Sequence, residues 1–486
     1  AGWEGPNVMV ERMGVVAGDG RVERSQPASA GQSQEQTVKP SGPAAVRSGR
    51  LESPESSSQP VRVDGLWEQA FSKANLTRAL RRVERNGGAP GVDGVTTEEF
   101  RGWLNEHWSG VRDALDAGTY RPQPVRQVEI PKPDGGVRLL GVPTVLDRLV
   151  QQALAQVLEP VFDPTFSDFS FGFRPGRSAH QAVETARSYV ADGYRWVVDV
   201  DLEKFFDRVN HDKLMHRVSR RVADKRVLKL VHRYLQAGVM VAGVKQPSAE
   251  GTPQGSPLSP LLSNIMLDDL DIELARRGHR FVRYADDLRV FMRSERAAYR
   301  VLDGIVDVVE GRLKLKVNRE KSSIATASVA SLLGFGFYFA AGGKVGIRVA
   351  PKAWKRLKMR LRQLTRRTWG VSMEHRLAKL NRFIAGWCAY FTVADGRKRF
   401  EAIDEWLRRR LRQVRWIEWK RYSGRRRNLR ALGMSEDNAA RWAASSKGPW
   451  RIAGSAVLQR ALPDSYWHDE HGLQGLGYHW HHRRGA

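Results

Sequence analysis

Two adjacent carboxylates set into a β-prone stretch constrain this chain more than any other feature. Phe281 and Val282 precede the tetrapeptide Tyr284-Ala285-Asp286-Asp287, and Leu288, Val290 and Phe291 follow it. Apolar runs on either side of a short acidic break predict a β-hairpin with the acids at its tip. Neighbouring carboxylates repel and raise each other's pKa, so such a pair calls for a cation, and a divalent metal is the natural one. Asp is also a favoured residue of ordinary solvated turns. The acidic tip therefore gains meaning only if a third carboxylate joins it.

A third stands in Trp196-Val197-Val198-Asp199-Val200-Asp201-Leu202-Glu203-Lys204-Phe205-Phe206-Asp207. Trp196 to Val200 reads as a buried strand, with Asp199 and Asp201 on one face and Val198 and Val200 on the other. A carboxylate that ends a strand can meet a hairpin tip. Mg2+ takes oxygen ligands and is usually held by a few carboxylates plus substrate phosphates. Two such ions about 3.5–4 Å apart clamp the attacking and leaving oxygens of an in-line displacement. Asp201, Asp286 and Asp287 would suffice as carboxylate ligands for that chemistry. Asp199 is a second acid on the same face, and the pattern leaves it either as a partner of the site or as an alternative ligand.

With these residues in view, the chain resembles the reverse transcriptases encoded by group II introns, also called intron maturases, from about Leu66 to about Tyr478. The Tyr-Ala-Asp-Asp box is similar to the family's polymerase hallmark, and Asp201 to Asp207 to the block carrying its first catalytic aspartate. Between them, Gly251-Thr252-Pro253-Gln254-Gly255-Ser256-Pro257-Leu258-Ser259-Pro260 resembles the block lining the nucleotide site. Upstream, the segments from Ile130 to Arg138 and from Phe171 to Ser178 resemble the fingers blocks; downstream, Asn318 to Ser322 and Leu332 to Phe335 resemble the remaining palm blocks. The resemblance implies catalysis by Asp201, Asp286 and Asp287, with two Mg2+ ions held by these and the Leu202 backbone carbonyl. It further implies that Lys132, Arg138, Phe206 and Gln254 bind the incoming dNTP, with Phe206 beneath the sugar where a 2′-hydroxyl would clash. Lys132 and Arg138 flank a Pro-Asp-Gly-Gly turn, so a hairpin would carry both cations to its tip.

Charge agrees with a polyphosphate partner. Lys and Arg number 80 against 53 Asp and Glu, a formal charge of +27. Residues 351–430 hold 25 Lys or Arg and 6 Asp or Glu, so 25 − 6 = +19 of the excess sits in this one segment. A merely solvated helix face would intersperse acids. Leu377, Leu380, Ile384 and Trp387, and again Leu407, Leu411, Val414 and Ile417, recur at helical spacing, predicting a bundle in which most of the tryptophans are core. By resemblance this is the thumb, or maturase domain, which grips intron RNA and the RNA template–DNA primer duplex.

The expected class is α+β: a right-hand polymerase with fingers and an antiparallel palm sheet, then an α-helical thumb and a small C-terminal DNA-binding segment. The expected divisions are a disordered leader over 1–62, an N-terminal extension over 63–125, fingers and palm over 126–345, thumb over 346–424, and a DNA-binding segment with tail over 425–486. Thr96-Thr97-Glu98-Glu99 reads as a helix start within the extension. His468, His471, His479, His481 and His482 are expected at the surface, with no HNH nuclease frame around them. One cysteine, Cys388, permits no internal disulfide and fits a reducing cytoplasm. No apolar run suggests a membrane span or signal peptide, so the expected location is bacterial cytoplasm with nucleoid association, or an organelle. The function expected is copying of the host intron's RNA into target DNA and assistance to its splicing. A related enzyme recruited to DNA repair or defence, or an RNA-binding splicing cofactor with incidental polymerase activity, are the alternatives.

Overall fold

The computed structural model describes residues 62–131, 137–241, 244–246 and 255–484. The expected leader therefore lies outside the described residues, apart from Arg62. Three helices, Leu66–Ala70, Lys73–Asn86 and Phe100–Asp116, form the N-terminal extension. The Ser72 hydroxyl accepts from the Asn75 amide and caps the second. Thr96 and Glu99 bond reciprocally ahead of the third, through Thr96 N to Glu99 Oε2 (3.1 Å) and Glu99 N to Thr96 Oγ1 (3.3 Å). Ala79, Val83 and Phe100 pack against Val145, Leu149 and Ala153 of the helix Val145–Phe162, which anchors the extension to the fingers. Arg148 donates to the Gly87 and Ala89 carbonyls and Arg126 to that of Pro90, so the Gly-rich loop is pinned from below.

The strands are, in chain order, β1 (Val125–Pro131), β2 (Val137–Val142), β3 (Trp196–Val200), β4 (Val239–Val241), β5 (Val244–Gln246), β6 (Arg280–Tyr284), β7 (Asp287–Met292), β8 (Ser323–Thr326), β9 (Ser331–Leu332), β10 (Phe335–Phe339) and β11 (Val345–Val349). The central sheet runs β6-β7-β3-β8 and is antiparallel throughout, as expected of the palm. The fingers sheet runs β2-β1-β4-β5, with β1 and β2 a hairpin and β1 parallel to β4. A third sheet, β11-β10-β9, leads into the thumb.

Alternation along the central strands separates two cores. Val198, Val200, Leu288 and Val290 face one, which includes the helix Ser259–Arg276. Val197, Val282 and Phe291 face the other, together with the helix Ala179–Ala191. That second cluster continues without a break through Phe335, Phe337 and Ile347 into Trp354, Leu357, Leu377, Leu380, Ile384, Trp387, Leu407 and Leu411 of the thumb helices.

Those thumb helices are Pro351–Leu364, Met373–Tyr390 and Arg397–Glu418. Trp354, Trp387 and Trp416 are buried, while Trp369, Trp406 and Trp419 pack against the core from its margin, so the tryptophans serve the interior as expected. Short helices from Tyr422–Ala431 to Leu476–Arg484 close over the bundle, and Leu429, Ile452, Leu458, Trp467 and Leu476 join the same core. Asp404 accepts from the Leu476 and Gly477 amides (2.8 Å each) at the start of the last helix, where a negative charge meets unsatisfied N–H groups. The expectation of surface histidines fails at His479: it is buried, because its helix docks face-on against the thumb. His468 and His471 are half-buried, and His481 and His482 are exposed.

Candidate catalytic site on the central sheet

The ladder of β3 with β7 pairs Trp196 with Met292, Asp199 with Arg289 and Val200 with Leu288. Continued by one step, this antiparallel register would set Asp201, just past the end of β3, opposite Asp287. Directly opposed residues share a sheet face, so Asp199, Asp201, Arg289 and Asp287 lie on one side, with Tyr284 added through its pairing to Asp287. Asp286 occupies the two-residue turn Ala285–Asp286 between β6 and β7. The hairpin tip thus holds one acid in the turn and the other at the first position of the outgoing strand.

Ala285 has φ +58°, in the left-handed region that a tight hairpin turn needs at its first central residue and that costs a non-glycine about 1–2 kcal/mol. A buried network supports it. Arg283 Nη1 donates to the Ala285 carbonyl (2.8 Å) and to Asn264 Oδ1 (2.9 Å). Its Nε and Nη2 bond the Asp271 carboxylate at 2.8 and 2.5 Å. Asn264 Nδ2 in turn donates to the Gly172 carbonyl (2.9 Å), and Gly172 lies so close that a Cβ there would come within 2.2 Å of the Ala285 nitrogen. Phe171 N also donates to the Arg283 carbonyl, and Arg283 N to that of Phe169, so the Phe171 to Ser178 block begins as a short addition to the edge of β6.

Asp201 is fixed through its backbone. Its amide donates to Ser322 Oγ (3.0 Å), and its carbonyl accepts from the Asn318 amide (2.8 Å). With Glu203 N donating to the Lys316 carbonyl (2.8 Å), these bonds enclose Leu202 and Val317 as a non-hydrogen-bonded pair. In such a pair the carbonyls point away from the partner strand, which turns that of Leu202 away from Val317. The Asn318 to Ser322 segment thus holds the first aspartate in place.

Electrostatics mark the same face. Arg289 Nη1 bonds Asp199 Oδ1 (2.6 Å) and also Asp287 Oδ1, and the arginine is buried. Asp199 is pushed up to about 6, by burial above all, and further by Asp287 and Asp201, against the pull of Arg289 and Lys352. The structure thus makes Asp199 a partner of Arg289. Oxygen donors of this kind suit a hard cation such as Mg2+, and the charge demand is visible in the guanidinium already drawn between two acids. Among the described residues no three side chains converge as a ready-made cage. Asp287 is turned to Arg289 instead.

Of the residues expected on the nucleotide side, Lys132 and Gln254 lie outside the described residues. Arg138 pairs through its backbone with Ile130 on the β1–β2 hairpin, and its side chain lies outside the described residues. Gly255, at φ +104°, sits against β2, where a Cβ would meet Leu140 Cδ1 at 3.0 Å, so the two expected nucleotide-side blocks meet. Phe206 lies in the single turn Phe205–Asp207, packs edge-on against Phe205 at 5.2 Å, and keeps 9% exposure. From the thumb, Tyr390 donates its hydroxyl to the Leu333 carbonyl (2.9 Å), and His180 Nε2 donates to the Tyr390 carbonyl (2.6 Å). Leu333 has φ +52°, and burial raises the Tyr390 phenol, which also feels Tyr284 and Asp287.

Sequence reasoning passed over Arg283, Arg289, Asn264 and Asp271. Two signals for them were present: arginines inside apolar strands, and polar residues within the apolar helix Ser259–Arg276, which is buried around most of its circumference.

Comparison with known proteins gives the same answer. Residues 130–365 match the family described as reverse transcriptase (RNA-dependent DNA polymerase), and residues 354–433 match the group II intron, maturase-specific domain. Protein YkfC of Escherichia coli K12 is 35% identical over 51% of this chain and 76% of its own length. The group II intron-encoded protein LtrA of Lactococcus lactis subsp. cremoris is 33% identical over 51% of this chain, which takes in 40% of LtrA. A putative COX1/OXI3 intron 1 protein of Saccharomyces cerevisiae is 35% identical over 40% of this chain and 23% of its own. A chain of a solved partial Cas6-RT-Cas1–Cas2 complex matches 50% of this chain and 42% of its own length at 25% identity, with a TM-score of 0.33. With a palm sheet carrying three acids at one end and a maturase-specific domain packed on it, this chain belongs to the group II intron reverse transcriptase and maturase family.

Proposed function

We propose that this protein copies the RNA of its host group II intron into DNA from a primed target, and that its thumb binds that RNA to assist splicing. The observation that carries the reading is the register that pairs Asp199 with Arg289 and Val200 with Leu288, so that Asp201 and Asp287 come next at the same end of the sheet, beside Asp286 in the turn. Asp201, Asp286, Asp287 and the Leu202 carbonyl would hold two Mg2+ ions, with Arg289 giving up its hold on Asp287. Those ions, when bound, would activate the primer 3′-hydroxyl and neutralise charge on the departing pyrophosphate.

The chain's own residues would do the positioning. Arg138, Lys132 and Gln254 would grip the triphosphate of a dNTP, and Phe206 would lie beneath its sugar. The basic thumb would hold intron RNA and the template–primer duplex, and the segment from Arg425 onward would meet target DNA. Arg426 and Arg430 both pair with Glu436 in the free protein, so DNA would have to compete with that acid for them. Among the described residues no helix is long and apolar enough to cross a membrane. A nucleoid-associated protein of the bacterial cytoplasm fits such a set of partners.

Primer extension on an RNA template tests the chemistry: Asp286→Asn should abolish synthesis while RNA affinity stays at the wild-type value, and persistent synthesis would overturn the metal role. Sequencing the RNA that copurifies tests the maturase role. One dominant intron supports it; a random pool counts against it.

A further inference from the structure

We propose that Arg289, anchored by Asp199, is a positioning residue that acts as an internal counter-ion for Asp287 and is exchanged for the divalent cation when the site loads. The inference rests on the reading that Asp287 is a metal ligand. Three observations carry it. Arg289 is directly opposite Asp199 in the β3–β7 ladder, so both side chains rise from the catalytic face at adjacent points. A single nitrogen, Nη1, bonds both Asp199 and Asp287, and also the Leu288 carbonyl. The guanidinium is buried, so the attraction acts where water screens it little.

A lone buried arginine among acids would be costly to move, because leaving one partner exposes an uncompensated charge. Asp199 removes that obstacle. It stays paired with Arg289 when Asp287 turns to a cation, so the guanidinium loses one of two carboxylates and keeps the other. Arg289 thus supplies an internal cation, and Asp287 is held near its working position without repelling Asp201 and Asp286. Asp199 thereby acts on the metal through Arg289, without ligating it.

Mn2+ binding to the full protein, read by loss of the free-ion electron paramagnetic resonance signal, tests this independently of activity. Removing the competing charge in Arg289→Met should tighten Mn2+ binding about tenfold, whereas Arg289→Lys, which keeps a cation facing Asp287, should stay within about threefold of wild type. Asp199→Asn should weaken binding in the wild-type background and have little effect in the Arg289→Met background. Non-additivity of that kind is what a relay through Arg289 produces. The double variant removes Asp199 together with the guanidinium that pairs it and leaves Asp287 alone without its cation, so it is expected to fold even if Arg289→Met alone does not. Equal weakening by Asp199→Asn in both backgrounds would make Asp199 a ligand and overturn the proposal, as would unchanged affinity in Arg289→Met. Absence of Mn2+ binding in the wild type would instead defeat the metal-site reading itself.

Discussion

Gly172 offers a sharp test of whether the catalytic turn is held by its surroundings. A Cβ at this position would lie 2.2 Å from the Ala285 nitrogen and 2.8 Å from the Tyr284 carbonyl carbon, both backbone atoms. Ordinary contact begins at 3.4 Å, so Gly172→Ala must separate the two segments by 3.4 − 2.2 = 1.2 Å. Neither side can yield easily, because Asn264 holds the Gly172 carbonyl and Arg283 holds that of Ala285. A displacement near 1 Å at a reacting centre costs about 10²-fold in rate, or about 2.7 kcal/mol of barrier. Overpacking should cost stability by about 1–3 kcal/mol as well. Single-turnover primer extension on an RNA template, with thermal melting alongside, separates the two effects: the chemical rate should fall while RNA affinity and most of the folded population persist. A rate within about threefold of wild type would show that the turn keeps its geometry without this contact, and the bracing argument would be wrong.

Asp271→Asn should leave Arg283 buried without its charge partner and lower unfolding free energy by about 3–5 kcal/mol in urea titration; a loss below about 1 kcal/mol would contradict the pairing. Asp268 is pushed up to about 7, by burial first and then by repulsion from Asp271, from an ordinary value of 3.8. Between those values the folded chain holds a proton that the unfolded chain releases, so stability falls as pH rises through that window. Asp268→Asn should therefore raise the melting temperature relative to wild type at pH 8 and not at pH 4, and an equal offset at both would refute the shift. Phe206→Ala should relax discrimination against ribonucleotides, read as the ratio of ribonucleotide to deoxynucleotide incorporation; an unchanged ratio would assign the ring to the core alone.

Local chemistry was legible where it depended on pattern. The strand Trp196–Val200 has the bounds that its apolar run and alternation suggested, with Asp199 and Asp201 on the expected face. The acidic hairpin and the helical repeats of the thumb follow from the same periodicities. Register was not legible, since no local signal says which residue of β7 faces Asp199; that pairing is set by burial on both faces and by a connection running through several helices. Without register, Arg289 reads as one basic residue in a basic chain. Arg283 was hidden for a related reason: its partners Asn264 and Asp271 sit on a different element, and a buried ion pair has no periodicity. Asp404 and His479 show the limit again, because the docking of the last helix depends on tertiary fit that a short tail does not announce.

The unbroken apolar cluster that starts on the catalytic face itself, beside the acids, has a mechanical consequence. Because Val197 and Phe291 belong to the same core as Trp354 and Trp387, a thumb swinging as a free hinge would have to tear open the floor of the palm. Tyr390 adds a strut, since it bonds Leu333 while sitting near Tyr284. Torque applied to the thumb by a large folded RNA would thus be felt at the aspartates. Palm and thumb, joined by this core, should melt in a single transition, and the palm should be lost when the thumb is removed.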